Sequence, residues 1–374
     1  MTDPAKLGLI VNPIAGMGGS VGLKGTDSAE ILQEARSRGA VGRAPQRAAE
    51  ALRVIAASLG DGAEFVAAAG EMGEQVARAV GLPASVVPGG RSGATTAADT
   101  ERAAAEMAAS GVTMILFAGG DGTARNLYSA IGEALPTVGI PAGVKMHSAV
   151  YATTPHAAGE LTVRFLRDGL PVRAVEIMDL DEQAYRSGAV AARLYGFLST
   201  PFHRDLVQGV KLGRVNSDFA ALEAIASEIE ERLEPDRLYV LGPGTTVRAI
   251  ARRLGLEKTL LGVDLLCNRR MICLDVGEPA LLAAVKGRRV SVIVTPIGGQ
   301  GHFLGRGNQQ ISPTVLRQVS REDIIVVATP QKLASLAGRP LHVDTGDRAL
   351  DRALCGYVRV VTGYHTEAIC PVSD

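Results

Sequence analysis

Net charge is missing from this chain: 39 Lys and Arg stand against 39 Asp and Glu among its 374 residues, with no long block of either sign. Without a field to hold a polyanion, general nucleic-acid binding is disfavoured. Long apolar runs are missing too. None approaches the ~18 residues that a bilayer span requires, which points away from a membrane protein. Cysteine is scarce: Cys267, Cys273, Cys355 and Cys370 contain no C-x-x-C pair, and the six histidines show no zinc spacing. Neither a disulfide framework nor a structural metal is expected from that usage. The opening MTDPAKLGLIVNP has too short an apolar run for a leader and no small-residue cleavage site after it. It reads as a first strand, and a cytoplasmic location is expected. Aromatics are few, at 4%, but 47% apolar and 21% charged residues are ordinary for a core-forming protein. The length suggests about two domains. What the chain has in quantity is glycine, 44 residues, which suits places where backbone must approach a ligand closely.

Lys6 to Val11 is a short apolar run that stops at Asn12-Pro13, and Gly16, Gly18, Gly19 and Gly22 follow at once. The pattern is a strand entering a glycine loop. Ala48 to Ser58 and Ala97 to Ala109 have helical composition, the second entered through Thr95, Thr96 and Asp99 as capping candidates. Between them Ser85 to Val87 reads as a buried strand. Val112 to Phe117 is a strand that breaks at Gly119-Gly120-Asp121-Gly122-Thr123 before a helix over Ala124 to Leu135, and Val138 to Ile140 is a third strand ending in a glycine turn. Strands and helices alternating at this spacing imply a parallel sheet with its loops gathered at the strand carboxyl ends. Shorter alternating segments such as Arg193 to Leu198 follow, and a domain boundary is set near 145 to 160. In the second half Ala220 to Leu233 reads as a helix with Glu223, Glu228, Glu230 and Glu231 facing water. Arg237 to Leu241, Arg289 to Thr295 and Asp323 to Ala328 read as strands.

Four loops are able to carry chemistry. Gly119 to Thr123 lies between an apolar strand and a helix, so its amides and the positive helix end favour phosphate. Asp121 would then stand among phosphates, where a carboxylate holds Mg²⁺ or accepts a proton from an attacking hydroxyl. A plain Asp-Gly turn has the same letters. Asn12 to Gly19 offers a second backbone cradle, with Lys24 nearby, yet it matches neither a Walker A motif nor G-x-G-x-x-G; a tight strand-to-helix turn explains it as well. Ile297 to Gln310 is too polar and glycine-rich to be core. Gly299, Gln300, Arg306, Asn308, Gln309 and Gln310 form a dense donor and amide set that reads as a ligand loop rather than a linker, with His302 a weaker member. Gly242-Pro243-Gly244-Thr245-Thr246 before a helix is either a second anion site or an ordinary helix start. Asp344 and Asp347 are further carboxylates for metal or sugar hydroxyls, although Asp347 as a cap for Arg348 to Leu354 needs no function.

Taken together, GLIVNPIAGMGGSVGLKGTD, FAGGDGTAR, GIPAGVKMHSAV, LGPGTT, LLGVD, TPIGGQGHFLGRGNQQISP and VDTGD, in this order across almost the whole chain, resemble the ATP-NAD/AcoX kinase family. That family belongs with NAD kinases, diacylglycerol and sphingosine kinases and phosphofructokinases. The resemblance implies an α/β fold of two domains: residues 1–150 a parallel-sheet, NAD kinase-like nucleotide-binding domain, and residues 151–374 a mixed α/β acceptor-binding domain. Its last strand is free to return to the first domain, and the active site is expected in the cleft. It also implies an ATP-dependent phosphotransferase with Mg²⁺. By residue, Gly119, Gly120, Asp121, Gly122 and Thr123 match the shared motif, with Asp121 as base or metal-linked carboxylate, and Asn12, Pro13 and Gly16 resemble the phosphate loop of the lipid kinases with Ala15 in place of its Ser. Three features depart from the pattern. Pro141-Ala142-Gly143-Val144-Lys145-Met146 replaces the lipid kinases' P-x-G-T-x-N, leaving Lys145 as a phosphate candidate. The Asn-Glu pair and the Gly-Ser-Thr-Ala-Tyr segment of NAD kinases have no counterpart. KGTDG reads Lys24-Gly25-Thr26-Asp27-Ser28.

The expected reaction is phosphoryl transfer from ATP to a hydroxyl, with NAD (ribose 2′-hydroxyl) giving NADP as the first acceptor. A small hydroxylated metabolite is the second, and a lipid the third. From another class, a nucleotide sensor without turnover keeps the cradle, but it has no need of Asp121. A small-molecule substrate and a homo-oligomeric state are expected, with no nucleic acid or membrane partner.

Overall fold

The computed structural model describes residues 5–19, 21, 29–89, 95–143, 146–180, 192–203, 206–207 and 219–374. Lys24 and the rest of the Lys24 to Ser28 turn, together with Val144 and Lys145, lie outside the described residues. The fold is α/β. Its contacts separate into two compact units, Met1–Met17 with Val41–Val210, and Gly18–Ala40 with Lys211–Asp374.

The first unit is built on a five-stranded, all-parallel sheet in the order β3-β2-β1-β4-β5. The strands are β1 (Ala5–Val11), β2 (Ala63–Ala68), β3 (Ala84–Val87), β4 (Met114–Gly119) and β5 (Thr137–Pro141). All six residues of β4 are buried, as an inner strand of a sheet covered on both faces must be. One face carries α2 (Ala44–Leu59) and α6 (Pro155–Asp168), whose Leu52, Ile55 and Leu161 pack with Leu7, Leu9 and Leu116. The other carries α4 (Ala97–Ala109) and α5 (Asp121–Ile131), whose Met107 and Leu127 pack with Ile10, Ile115 and Phe117. Each such side chain taken fully out of water stabilises the fold by about 1.5–3 kcal/mol. The helix α4 begins with the expected Thr96 and Asp99, which form a reciprocal capping box. The helix α5 starts three residues earlier than its composition suggests, because Gly120 is itself the N-cap, and it ends at Gly132 with φ 52°.

After α6, β6 (Val172–Leu180) and β7 (Ala192–Pro201) form an antiparallel hairpin. Ile177 and Leu198 of this hairpin enter the same core as Phe117 and Tyr151. Both α6 and the hairpin, which the sequence reading set after its boundary at 150, therefore belong to the first unit: buried apolar contacts hold them there.

The second unit carries a nine-stranded mixed sheet, order β10-β9-β8-β11-β13-β15-β16-β14-β12. Its strands are β8 (Leu238–Leu241), β9 (Asp264–Cys267), β10 (Arg270–Cys273), β11 (Val290–Val294), β12 (His302–Leu304), β13 (Ile324–Val327), β14 (Leu341–Val343), β15 (Gly356–Gly363) and β16 (Thr366–Ser373). The last strand does not return to the first sheet; β16 pairs antiparallel with β15 and parallel with β14.

The helix Phe219–Glu231 corrects one expectation. Glu228 is 5% exposed rather than solvated. Its carboxylate accepts the Arg232 Nε–H at 2.8 Å and the main-chain N–H of His365 at 2.8 Å, which pins this helix to the β15–β16 turn.

Candidate functional site

The order of the first sheet changes direction between β1 and β4, since the chain proceeds outward from β1 through β2 to β3 and then returns to β4. In open parallel sheets ligands bind outside the strand carboxyl ends at this switch point. Here β1 delivers Asn12 and β4 delivers Gly119 and Gly120. The Asn12 main-chain N–H donates to Ala118 O at 2.9 Å. Its side-chain Oδ1 accepts the Ile14 N–H at 3.3 Å, and its Nδ2 donates to the Thr123 hydroxyl at 3.1 Å. Gly16 has φ 78°, and a Cβ there would fall 2.2 Å from Ala142 O and 3.2 Å from the Arg43 Cβ. Pro13 is equally tight, because a Cβ on Gly42 would fall 2.0 Å from its carbonyl oxygen. The turn after β1, the start of α2 and the segment after β5 are thus closed on one another at glycines. Gly18 and Gly19 continue the same run of turns.

From β4 the chain enters α5 with no intervening loop. The N-cap Gly120 supplies no side chain to the first turn, so the helix N-terminus keeps its positive end for a ligand. A Cβ on Gly119 would lie 2.4 Å from the Thr123 Oγ1, and Gly119 O accepts both the Ala142 and the Gly143 N–H at 3.2 and 3.1 Å. The first residue of the helix is Asp121. Its Oδ2 accepts the His147 main-chain N–H at 2.7 Å and its Oδ1 accepts that of Ser148 at 3.1 Å. The His147 Nδ1 lies 3.6 Å from Oδ2, with the two side chains 8% and 12% exposed. Ser148 is fixed in turn, its hydroxyl accepting the Met178 N–H from β6 at 3.0 Å. Asp121 is therefore a carboxylate held in one orientation, with a lone pair left on each oxygen. A fixed carboxylate beside an open helix N-terminus is able to orient a hydroxyl toward a phosphate. Of the residues expected from the sequence, Asn12, Pro13, Gly16, Gly119, Gly120, Asp121, Gly122 and Thr123 come together here. His147, Ser148, Arg43 and Gly143 join them. Nothing in the spacing flagged these four, although GIPAGVKMHSAV contains three of them.

The second unit holds the other candidates. Gly242 follows β8, and Gly244 (φ 117°) is the N-cap of the helix Thr245–Arg253, its missing Cβ leaving room for Thr295 Cγ2, which would otherwise be 2.7 Å away. The Lys332 ammonium donates to the Thr246 hydroxyl at 3.0 Å and to that of Thr295 at 2.8 Å. This lysine, 86 residues from Thr246, had no signal in the sequence. The 297–310 segment is not the open polar loop that its composition suggests. Gln300, His302, Arg306, Asn308, Gln309 and Gln310 are all buried, and β12 runs through their midst as the edge strand of the sheet. Asn308 spends its amide on the backbone, accepting the Gly305 N–H and donating to Phe303 O, each at 2.8 Å. Gly299 donates its N–H to the Ser335 hydroxyl at 3.2 Å. Asp344 is buried after β14. Asp347 is the helix cap, accepting the Leu350 N–H at 3.0 Å. The Arg317 guanidinium and that N–H hold its carboxyl below the usual range.

No helix among the described residues is long and apolar enough to cross a membrane. Residues 7–170 match the ATP-NAD kinase N-terminal domain, and residues 235–372 match the ATP-NAD kinase C-terminal domain. No curated protein and no solved structure matches the chain. Two matched domains in their family order span most of the sequence: the chain belongs to the ATP-NAD kinase family.

Proposed function

We propose that this NAD-kinase-like phosphotransferase moves the γ-phosphoryl group of ATP to the adenosine ribose 2′-hydroxyl of NAD, giving NADP and ADP. The observation that carries the reading is Asp121, held by the His147 and Ser148 N–H groups at the first turn of α5. The triphosphate lies against the uncapped N-terminus of α5 and the turn from Asn12 to Gly16, where N–H groups and the helix dipole favour anions. Asp121 accepts the proton of the acceptor hydroxyl, the oxygen attacks the γ-phosphorus, and the bond to ADP breaks with its electron pair leaving on ADP. One free lone pair on each Asp121 oxygen fits a magnesium ion held chiefly by phosphate oxygens and water, as Mg²⁺ usually is. Such an ion would supply charge neutralisation at the phosphates. Within the second unit Gly242, Gly244, Thr245, Thr246, Gly299, Gln300, Arg306, Gln309 and Asp344 stay candidates for an acceptor or second anion site, whereas Asn308 and Asp347 are committed to the backbone and to a helix cap.

The experiment is NADP formation from ATP, Mg²⁺ and NAD by wild-type protein and Asp121→Asn. Wild type is expected to form NADP, with the variant about 10²- to 10⁴-fold slower. Thermal stabilisation by ATP without NADP would replace the acceptor by a small hydroxylated metabolite. Absence of both responses would overturn the kinase reading.

A further inference from the structure

We infer that Arg125 is the cation that binds the triphosphate on the face of α5, and that the β6–β7 hairpin exists in part to hold it there through Tyr195. The inference rests on the phosphotransferase reading and adds a residue and a device to it. Arg125 follows Asp121 by one helical turn, so the two share a face of α5. Side chains on a helix lean toward its N-terminus, and Arg125 does so: a Cβ placed on Gly122 would meet its Nη2 at 3.6 Å. The guanidinium therefore lies along the first turn of the helix, beside Gly122, where the N–H groups favour an anion.

The position of the guanidinium is supported from outside the helix. Its Cζ lies 5.9 Å from the ring centroid of Tyr195 on β7, within range of a cation–π contact. Tyr195 is itself fixed. Its ring meets Tyr128 of α5 edge-on at 5.7 Å and 78°, and its hydroxyl lies 3.4 Å from that of Ser129. Strand β7 comes so close to α5 that a Cβ on Gly196 would fall 2.3 Å from Tyr128 Cζ. A hairpin pressed onto a helix at a glycine, with the preceding residue's ring beside an arginine that leans along the first turn of that helix, is an arrangement for orienting charge. Arg suits the task, being always protonated, planar and able to bind phosphate oxygens through two N–H groups at once. In phosphoryl transfer such a cation offsets the charge spread over the equatorial oxygens. Tyr195 remains 44% exposed, so a ligand has access to this face.

The test is calorimetric binding of ATP and of inorganic tripolyphosphate to the full-length protein and to Arg125→Met, Arg125→Lys, Tyr195→Phe and Tyr195→Leu, with thermal midpoints recorded in parallel. Arg125→Met keeps the stem against the ring and removes the charge; both ligands are expected to bind at least about tenfold more weakly, with the midpoint near wild type. Arg125→Lys is expected to recover part of the loss, as a point charge without the fork. Tyr195→Phe is expected to bind as wild type and Tyr195→Leu to lose affinity severalfold. Wild-type affinity in Arg125→Met, or a loss in Arg125→Met with none regained in Arg125→Lys at an unchanged midpoint, overturns the inference and leaves the phosphotransferase reading standing. A wild-type protein that binds neither ligand overturns that reading and this one with it.

Discussion

The side-chain amide of Asn12 donates to the hydroxyl of Thr123 at 3.1 Å, joining two residues 111 positions apart. Through this bond the turn after β1 and the first turn of α5 act as one rim. Asn12→Ala and Thr123→Val should each lower stability by about 1 kcal/mol and weaken ATP binding. Because each removes the same bond, the double variant should lose less than the sum of the two. A strictly additive double-mutant cycle in urea melts would show that the two turns are independent.

Gly143 faces Gly120 so closely that a Cβ on it would lie 2.9 Å from the Gly120 Cα. Both partners are backbone, so neither is able to give by rotating a side chain. Gly143→Ala should cost about 1–3 kcal/mol of stability and displace Gly120 from the phosphate turn. The measurement is the ATP dissociation constant beside that of Gly111→Ala, a substitution before the amino end of β4 at a glycine with nothing within 4 Å of its Cβ position. Gly111→Ala should lose stability through its φ of 74° but leave ATP affinity unchanged.

In the second unit Lys258 and Asp264 are both fully buried in their side chains and lie 3.2 Å apart. The ammonium also donates to Thr259 O at 2.9 Å and Gly262 O at 3.3 Å, and the carboxylate accepts from Thr259 N and Asp275 N at 2.9 and 2.7 Å. Burial pushes the lysine below its ordinary value, with the Asp264 charge opposing it. Lys258→Met leaves that carboxylate without its cation, and a loss of about 3–5 kcal/mol is expected in denaturant melts. The double replacement of Lys258 and Asp264 by Met and Leu should be milder than Lys258→Met alone.

The pH dependence of the second unit should report Glu228. Burial acts to raise its carboxyl, but the His365 N–H and the Arg232 guanidinium outweigh burial and bring it below the ordinary 4.5. A carboxyl lowered in the folded state binds fewer protons there than in the unfolded chain. Its stabilising contribution is therefore complete above pH about 4.5 and is lost as pH falls through the folded value. Glu228→Gln should flatten that part of the stability curve in urea melts run from pH about 6 down to about 3. A slope equal to that of wild type would assign the effect to other carboxylates.

The parallel sheet of the first unit was legible because buried strands such as Met114–Gly119 announce themselves as apolar runs stopped by glycine, and α4 because Thr96 and Asp99 are a local cap. Asp121 was legible for a related reason: residues 119–123 are contiguous, and their shape follows from their own backbone. Glu228 was misread as solvated, and residues 297–310 as too polar to be buried. Polarity alone predicts exposure, whereas Glu228 is buried by partners at 232 and 365 and Asn308 by the backbone it serves.

The sequence by itself determined several of the strands, the glycine turns, the family and the candidate aspartate, all properties that neighbours within a few residues decide through sterics and hydrophobic period. Only the tertiary structure decided that Asp121 is held by His147 and Ser148, that Asn12 meets Thr123, that Tyr195 stands beside Arg125 and that Lys332 reaches Thr246. Those pairs are separated by 26 to 111 positions, and no local pattern encodes them. They exist because the order of strands in each sheet brings distant carboxyl ends side by side.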